Sequence, residues 1–348
     1  IGKPSEAFGE PYRIFDRERV IARLPGPPYQ FLDRITAIAA EPWKLQAGGV
    51  IEAEYDVPAD AWYFAANRQP TMPFAVLLEV ALQPCGWLAA YLGSALTSPV
   101  DLCFRNLGGQ AIQHVIVTPQ TGTLTTMVRI TKVSTSAGMI IQNFDFTVRA
   151  GDTLVYKGDT YFGFFTHEAL ANQVGIRDAQ LYTPTPEETA RADRFDYPTA
   201  APFPDRQLRM VDGVDAWLEQ GGPHGHGFIE GSKIIDPEEW FFKAHFYQDP
   251  VWPGSLGLEA FLQLLKAAAV RRWGAAVARF EDVALGRKHQ WTYRGQVLPT
   301  HRRVTVQAML TQLDDAQRFL QADGYLSVDG RVIYEMKDFT LRMEPKQR

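Results

Sequence analysis

The sequence predicts an α+β chain of two tandem modules, each an antiparallel sheet wrapped round one long central helix. Three observations predict it. A block of sequence recurs once at a spacing of 180 residues, each copy holds an apolar run of helical length, and each run is followed by segments alternating apolar and polar residues. At 348 residues, 46% hydrophobic and 22% charged, the chain has room for two medium domains with real cores.

The repeat is read from its anchors. Trp62-Tyr63-Phe64 is answered by Trp240-Phe241-Phe242, and Met72-Pro73 by Trp252-Pro253. Glu79 and Glu259 each stand six residues after their proline. Upstream, Phe31-Leu32-Asp33-Arg34-Ile35 matches Met210-Val211-Asp212-Gly213-Val214 at a spacing of 179, a gap of one residue.

The helical runs are Val76 to Tyr91 and Leu256 to Trp273. In the second, Leu258, Phe261, Leu262, Leu265 and Ala269 recur at helical spacing, and Ala260, Leu264, Ala267 and Ala268 widen the apolar surface beyond one stripe. A helix apolar on most sides needs a curved sheet around it, which is the hotdog architecture, here doubled. Arg271, Arg272 and Gly274 supply a basic last turn and a stop. Residues 124–134, 140–150, 303–311 and 318–327 alternate as strands, and Gly151-Asp152 and Asp329-Gly330 mark hairpin turns. Residues 1–24 are expected as an N-terminal arm, 25–165 as the first hotdog, 166–203 as a proline-rich linker and 204–348 as the second hotdog.

The net charge of −5 argues against nucleic acid as a partner. Cys85 and Cys103 sit in apolar surroundings and read as buried free thiols of a reducing compartment, with no CxxC metal site. No apolar run is read as membrane-spanning. With no signal peptide and Ile1 at the start, the expectation is a piece of a longer cytoplasmic polypeptide. His224-Gly225-His226 lies among glycines and reads as a flexible loop rather than a metal site.

The chemistry concentrates in His245-Phe246-Tyr247-Gln248-Asp249-Pro250-Val251-Trp252-Pro253-Gly254-Ser255-Leu256-Gly257-Leu258-Glu259. A histidine precedes a helix whose first turn has free backbone N–H groups, an anion-stabilising spot. A base beside such a spot suits proton removal next to a thioester carbonyl. Asp249 is assigned to the loop turn, and Arg105 and Arg294 to sheet structure, with contact to a carrier's phosphate as the alternative.

This segment resembles the active-site motif of bacterial β-hydroxyacyl-acyl carrier protein dehydratases, FabA-like and of the dehydratase/isomerase kind, with Trp252 in place of Met and Glu259 in place of Asp. Met72-Pro73-Phe74-Ala75-Val76-Leu77-Leu78-Glu79 resembles the same motif without its histidine; Asn67 and Arg68 stand nearby, two residues short of full alignment. "WYFAANRQPTMPFAVLLEVALQPCGWLAAYLGSAL" and "DLCFRNLGG" resemble the FabA-like dehydratase region of polyunsaturated fatty acid synthases.

The resemblance implies a site between two hotdogs, with His245 facing Glu79 and not its sequence neighbour Glu259, which would face a half-site lacking histidine. His245 is then the base and Glu79 the acid; Gly254 N–H stabilises the enolate-like oxygen and the Val251 carbonyl orients His245. It implies no metal or nucleotide cofactor, a substrate carried on the phosphopantetheine of an acyl carrier protein, and neighbouring synthase domains as partners. Trp240, Phe241, Phe242, Phe246, Tyr247 and Trp252 fit the wall of an acyl tunnel. Added isomerisation, a homodimer of the fused pair, a hotdog thioesterase and an inert acyl- or carrier-binding module all stay open at this point.

Overall fold

The computed structural model describes residues 2–136 and 138–346. In chain order its helices are α1 (Pro4–Phe8), α2 (Trp62–Asn67), α3 (Phe74–Tyr91), α4 (His167–Ala171), α5 (Pro186–Arg191), α6 (Trp240–Ala244) and α7 (Gly254–Trp273). The strands of the first half are β1 (Arg34–Ala39), β2 (Val50–Asp56), β3 (Cys103–Gln113), β4 (Thr123–Ser136), β5 (Met139–Ala150) and β6 (Thr153–Phe165). They continue with β7 (Asp193–Asp196), β8 (Gly213–Leu218), β9 (Phe228–Ile234), β10 (Val277–Asp282), β11 (Lys288–Tyr293), β12 (Arg303–Asp314), β13 (Phe319–Val328) and β14 (Arg331–Pro345).

All pairings among the described residues are antiparallel, and the strands form one continuous sheet in the order β1-β2-β4-β5-β6-β3-β11-β14-β13-β12-β9-β8-β7. The repeat is visible in that order. β1-β2-β4-β5-β6-β3 is the same succession as β8-β9-β12-β13-β14-β11, run outward from a seam between β3 and β11. The seam pairs Gly109 with Trp291 and Ala111 with His289. Where the first half has one long β3, the second has β10 and β11, both paired to β14. This is the predicted α+β double hotdog.

Each half wraps its sheet round its helix. From Ser255 to Ala269 every residue of α7 is buried, and α3 is buried from Phe74 to Cys85. The two helices touch each other. Strand burial alternates, as in β5 where Ile140, Gln142, Phe144, Phe146 and Val148 point inward. α3 tolerates Pro84 because β4 replaces what the proline removes. Pro84 has no N–H for the Val80 carbonyl, and Thr126 donates its hydroxyl to that oxygen at 3.3 Å. By length and apolarity α3 could cross a membrane, so the reading that no run reaches that length is corrected; its residues are the core of the first half.

The N-terminal segment lies on the first half. Tyr12 and Phe15 are buried with Ala95, the Phe8 ring packs on Trp87, and Tyr12 donates its hydroxyl to the Ala90 carbonyl near the end of α3. Residues 166–203 contain α4, α5 and β7 rather than bare linker. They run across the second sheet, where Ile176 N donates to Val332 O at 2.9 Å and Tyr182 N to Gln307 Oε1 at 2.9 Å.

Candidate active site

His245 is the residue that ends α6. Its N–H donates to Phe241 O at 2.8 Å, and the following loop folds back so that Val251 N donates to His245 O at 2.8 Å. The imidazole closes the same loop through Nδ1 and Val251 O, 3.1 Å apart. A carbonyl can only accept, so Nδ1 carries the proton and Nε2 presents its lone pair. Burial pulls the imidazole down to about 3, and the Arg105 guanidinium adds to this against the backbone hydrogen bond to Val251. The ring is therefore a neutral base throughout the neutral range.

Glu79 belongs to the other half. It lines the same cavity as His245, together with Gln83, Trp252, Gly254, Ser255 and Tyr293. Glu79 Oε1 accepts from Ser255 Oγ at 2.7 Å, and Oε2 from Gln83 Nε2 at 3.0 Å. The Tyr29 hydroxyl stands 2.9 Å from Ser255 Oγ, so Tyr29, Ser255 and Glu79 form a chain linking the two modules. Burial raises the Glu79 carboxyl above its ordinary range, outweighing the hydrogen bonds from Ser255 and Gln83. Gln83 is fixed in turn, accepting from Phe31 N at 2.7 Å and donating to Tyr29 O at 2.9 Å.

Pro253 caps α7, whose first N–H groups have no side-chain acceptor among the described residues. Gly254 opens the helix against Tyr293: a Cβ there would come within 2.8 Å of the ring, so only glycine lets the helix terminus reach the cavity wall. Trp252 Nε1 and the Tyr293 hydroxyl are buried without a partner among the described residues, and both residues line the cavity.

The loop is pinned across the module boundary by Arg105 of β3. Its guanidinium grips Asp249 bidentately, Nη1 to Oδ2 and Nη2 to Oδ1, both at 2.7 Å, and its Nε donates to Gln296 Oε1 at 2.8 Å. Asp249 thus serves the loop through this ion pair as well as through its turn, and Arg105 lines the cavity that holds His245 and Glu79. Arg294 donates to Leu107 O at 2.8 Å and to the Tyr161 hydroxyl at 3.0 Å. His224 and His226 lie on an exposed turn.

The other half-site repeats the scaffold with different chemistry. Gln263 accepts from Met210 N at 2.8 Å and donates to Leu208 O at 2.8 Å, as Gln83 does with Phe31 and Tyr29. Asn67 Nδ2 donates to Thr71 O at 3.1 Å, repeating the His245–Val251 contact with a loop two residues shorter. Glu259 does not line the His245 cavity. Its Oε1 lies 3.3 Å from Lys266 Nζ, which also pairs with Asp282 at 2.9 Å. Burial alone would lower the Lys266 ammonium, but Asp282 and Glu259 outweigh it and hold it at about 12.

Sequence reasoning missed Ser255, Gln83, Tyr29 and the Arg105–Asp249 pair. Gln83 and Gln263 share the 180-residue spacing of the glutamates and were findable from it. Arg105 and Asp249 lie 144 residues apart with no repeat to connect them.

A continuous double-hotdog sheet with a histidine from one module and a carboxylate from the other in one cavity defines the class of fold and site. The FabA-like domain model matches residues 24–159 and 203–337, once in each half, and the chain belongs to that family. It is 29% identical, over 98% of its length, to a polyunsaturated fatty acid synthase polypeptide of Thraustochytrium sp. (strain ATCC 26185 / S-3), and spans a quarter of that protein. Among solved structures it is similar to the dehydratase domain from the CurJ module of curacin polyketide synthase, with a TM-score of 0.50, 14% identity and coverage of 90% of this chain and 97% of that one. It is also similar to an oleoyl thioesterase (putative) from Lactobacillus plantarum, with a TM-score of 0.50, 11% identity and coverage of 86% and 98%. At these identities the two structures share the fold alone.

Proposed function

We propose that the chain dehydrates β-hydroxyacyl thioesters. The observation that carries this reading is the pairing of a neutral histidine base with a carboxyl whose protonated form burial favours, in one cavity. A base and an acid with separated proton affinities are what β-elimination needs.

His245 Nε2 takes the α-proton, and the electron pair left on carbon moves into the thioester carbonyl. The Gly254 N–H, at the positive end of α7, stabilises the oxygen on which that charge collects. The enolate then re-forms its carbonyl, the double bond forms between the α and β carbons, and the β C–O bond breaks. Glu79 gives its proton to the departing hydroxyl, which leaves as water. His245 is left protonated and Glu79 ionised, and a proton passing from one to the other through solvent restores both. The thioester itself acidifies the α-proton, and no metal or nucleotide takes part in these steps. Val251 holds the tautomer on which the first step depends.

The substrate is delivered on the phosphopantetheine of an acyl carrier protein, with neighbouring synthase domains as partners; similarity to a quarter of a fatty acid synthase polypeptide supports this. Glu259, tied to Lys266, takes no part, so one site works per pair of modules.

The test is to incubate the protein with a β-hydroxyacyl N-acetylcysteamine thioester and follow it by mass spectrometry. Loss of one water with the thioester intact is expected. Release of free acid and thiol would replace this reading with a thioesterase, and no reaction at any chain length would leave an inert binding module. The position and geometry of the product's double bond report whether isomerisation follows.

A further inference from the structure

We infer that Gly86 is the gate between the catalytic cavity and a second chamber that takes the distal end of the acyl chain, so that the size of residue 86 sets the acyl length accepted. This rests on the acyl-thioester reading above.

The chamber lies beneath the N-terminal segment and has a volume of about 500 Å³. It adjoins the catalytic cavity: Leu24, Pro25 and Phe104 line both, and Leu24 and Phe104 close the junction against Gly86. Beyond these shared walls it is bounded by Phe8, Ile21, Trp87, Ala90, Ala95 and Phe164, an apolar surface suited to a hydrocarbon tail. Its outer rim carries Lys3 and Arg23.

Gly86 sits at the junction. A Cβ at this position would lie 2.9 Å from Leu24 Cδ2 and 3.2 Å from Phe104 Cε1, two of the three residues common to both spaces. The path also follows one face of α3. Glu79, Leu82, Gln83, Gly86 and Ala90 recur at helical spacing; the first three line the catalytic cavity and the last two the chamber. From Glu79 to Ala90 the helix rises about 16 Å, the length of roughly a dozen carbons of an extended chain.

The other half shows the same position closed. Lys266 lies 180 residues after Gly86, the spacing that relates Glu79 to Glu259 and Gln83 to Gln263. Its ammonium reaches back to Glu259 at 3.3 Å, and it stands against Phe280 as Gly86 stands against Phe104. The half-site that lacks histidine thus has its helix face filled by a buried lysine, and the half-site that keeps histidine has a glycine there.

The test is equilibrium binding by calorimetry of non-hydrolysable thioether analogues of butyryl- and dodecanoyl-pantetheine. Each buried methylene contributes about fourfold to affinity, so wild type is expected to bind the dodecanoyl analogue at least about 100-fold more tightly than the butyryl one. In Gly86→Leu that ratio is expected to collapse to within about tenfold, since only the methylenes short of the gate stay buried. Ala90→Phe blocks the chamber beyond the gate without touching the junction, and should lower dodecanoyl affinity while leaving the octanoyl analogue closer to wild type. It also decides the matter should Gly86→Leu not fold. Equal affinities for the two analogues in wild type, or a long-chain preference that survives in both variants, would overturn the inference. Because binding is read without turnover, failure of the same protein to dehydrate a β-hydroxyacyl thioester would sink the catalytic reading and leave this one standing.

Discussion

Replacing His245 with asparagine, the residue that the other half carries in the related position, tests how the fold holds the imidazole. In the folded chain burial holds the ring near 3, against an ordinary value of 6.5. Between those values the unfolded ring is protonated and the folded ring is not, so unfolding takes up a proton. The histidine's contribution is therefore fully present above pH 6.5 and is lost as pH falls toward 3. At pH 5 the unfolded ring lies about one and a half pH steps below its pKa, worth about 2 kcal/mol at 1.36 kcal/mol per step. Glu79 acts in the opposite direction, because burial raises its carboxyl and favours the folded state at low pH. That effect is present with and without His245 and cancels in the difference. Urea unfolding of wild type and His245→Asn at pH 8 and pH 5 should show the wild type losing about 2 kcal/mol more than the variant. Parallel losses would mean that the folded ring titrates normally, and the argument for a buried neutral base would fail.

Three further perturbations follow from the contacts. Arg105→Met leaves Asp249 half-buried without its bidentate partner and should cost about 3 kcal/mol in thermal or urea unfolding, with turnover falling further than stability because the loop carrying His245 loosens. Lys266→Met strands Glu259 and Asp282 in the core and should cost about 3–5 kcal/mol; adding Glu259→Gln should recover part of it and leave the share due to Asp282, with thermal unfolding of both single variants and the double variant as the measurement. Gly254→Ala drives a methyl into the Tyr293 ring, for an overpacking cost of about 1–3 kcal/mol, and should reduce kcat in a thioester turnover assay by displacing the start of α7.

The sequence made the architecture legible because the same physical constraints were imposed on it twice. Two apolar helices, two prolines and two glutamates at one spacing define two modules, and alternation beyond them defines strands. The short helices α2 and α6 were not legible, since five or six residues carry too few turns for a periodic signal and are held by packing of their aromatic residues. The division of β10 from β11, and the continuity of the sheet through β3 and β11, are pairings between modules that no local pattern encodes.

The site divides in the same way. His245, Val251, Gly254 and the two glutamates lie within a contiguous motif or its repeat and were readable from it. Ser255 stands inside the motif, but its partner Glu79 is 176 residues away, so its hydroxyl acquires a role only once the modules dock. Asp249 read as a turn residue for the same reason: its partner is on β3 of the other half. Residues 1–24 looked like an arm because they are charged and contain proline and glycine, yet Tyr12 and Phe15 bury themselves against the first module. Two aromatic residues are enough to anchor a short segment and too few to show as periodicity.

The central claim is that His245 works with the carboxylate of the other module. The most direct measurement is the dehydration rate of a β-hydroxyacyl thioester by wild type, Glu79→Gln and Glu259→Gln. Glu79→Gln keeps a hydrogen-bonding group for Ser255 but cannot donate the acid proton, and is expected to lower kcat by about 10²–10⁴-fold, with Glu259→Gln close to wild type. Loss of activity in Glu259→Gln with Glu79→Gln still active would contradict the account and assign the acid to the wrong half of the molecule.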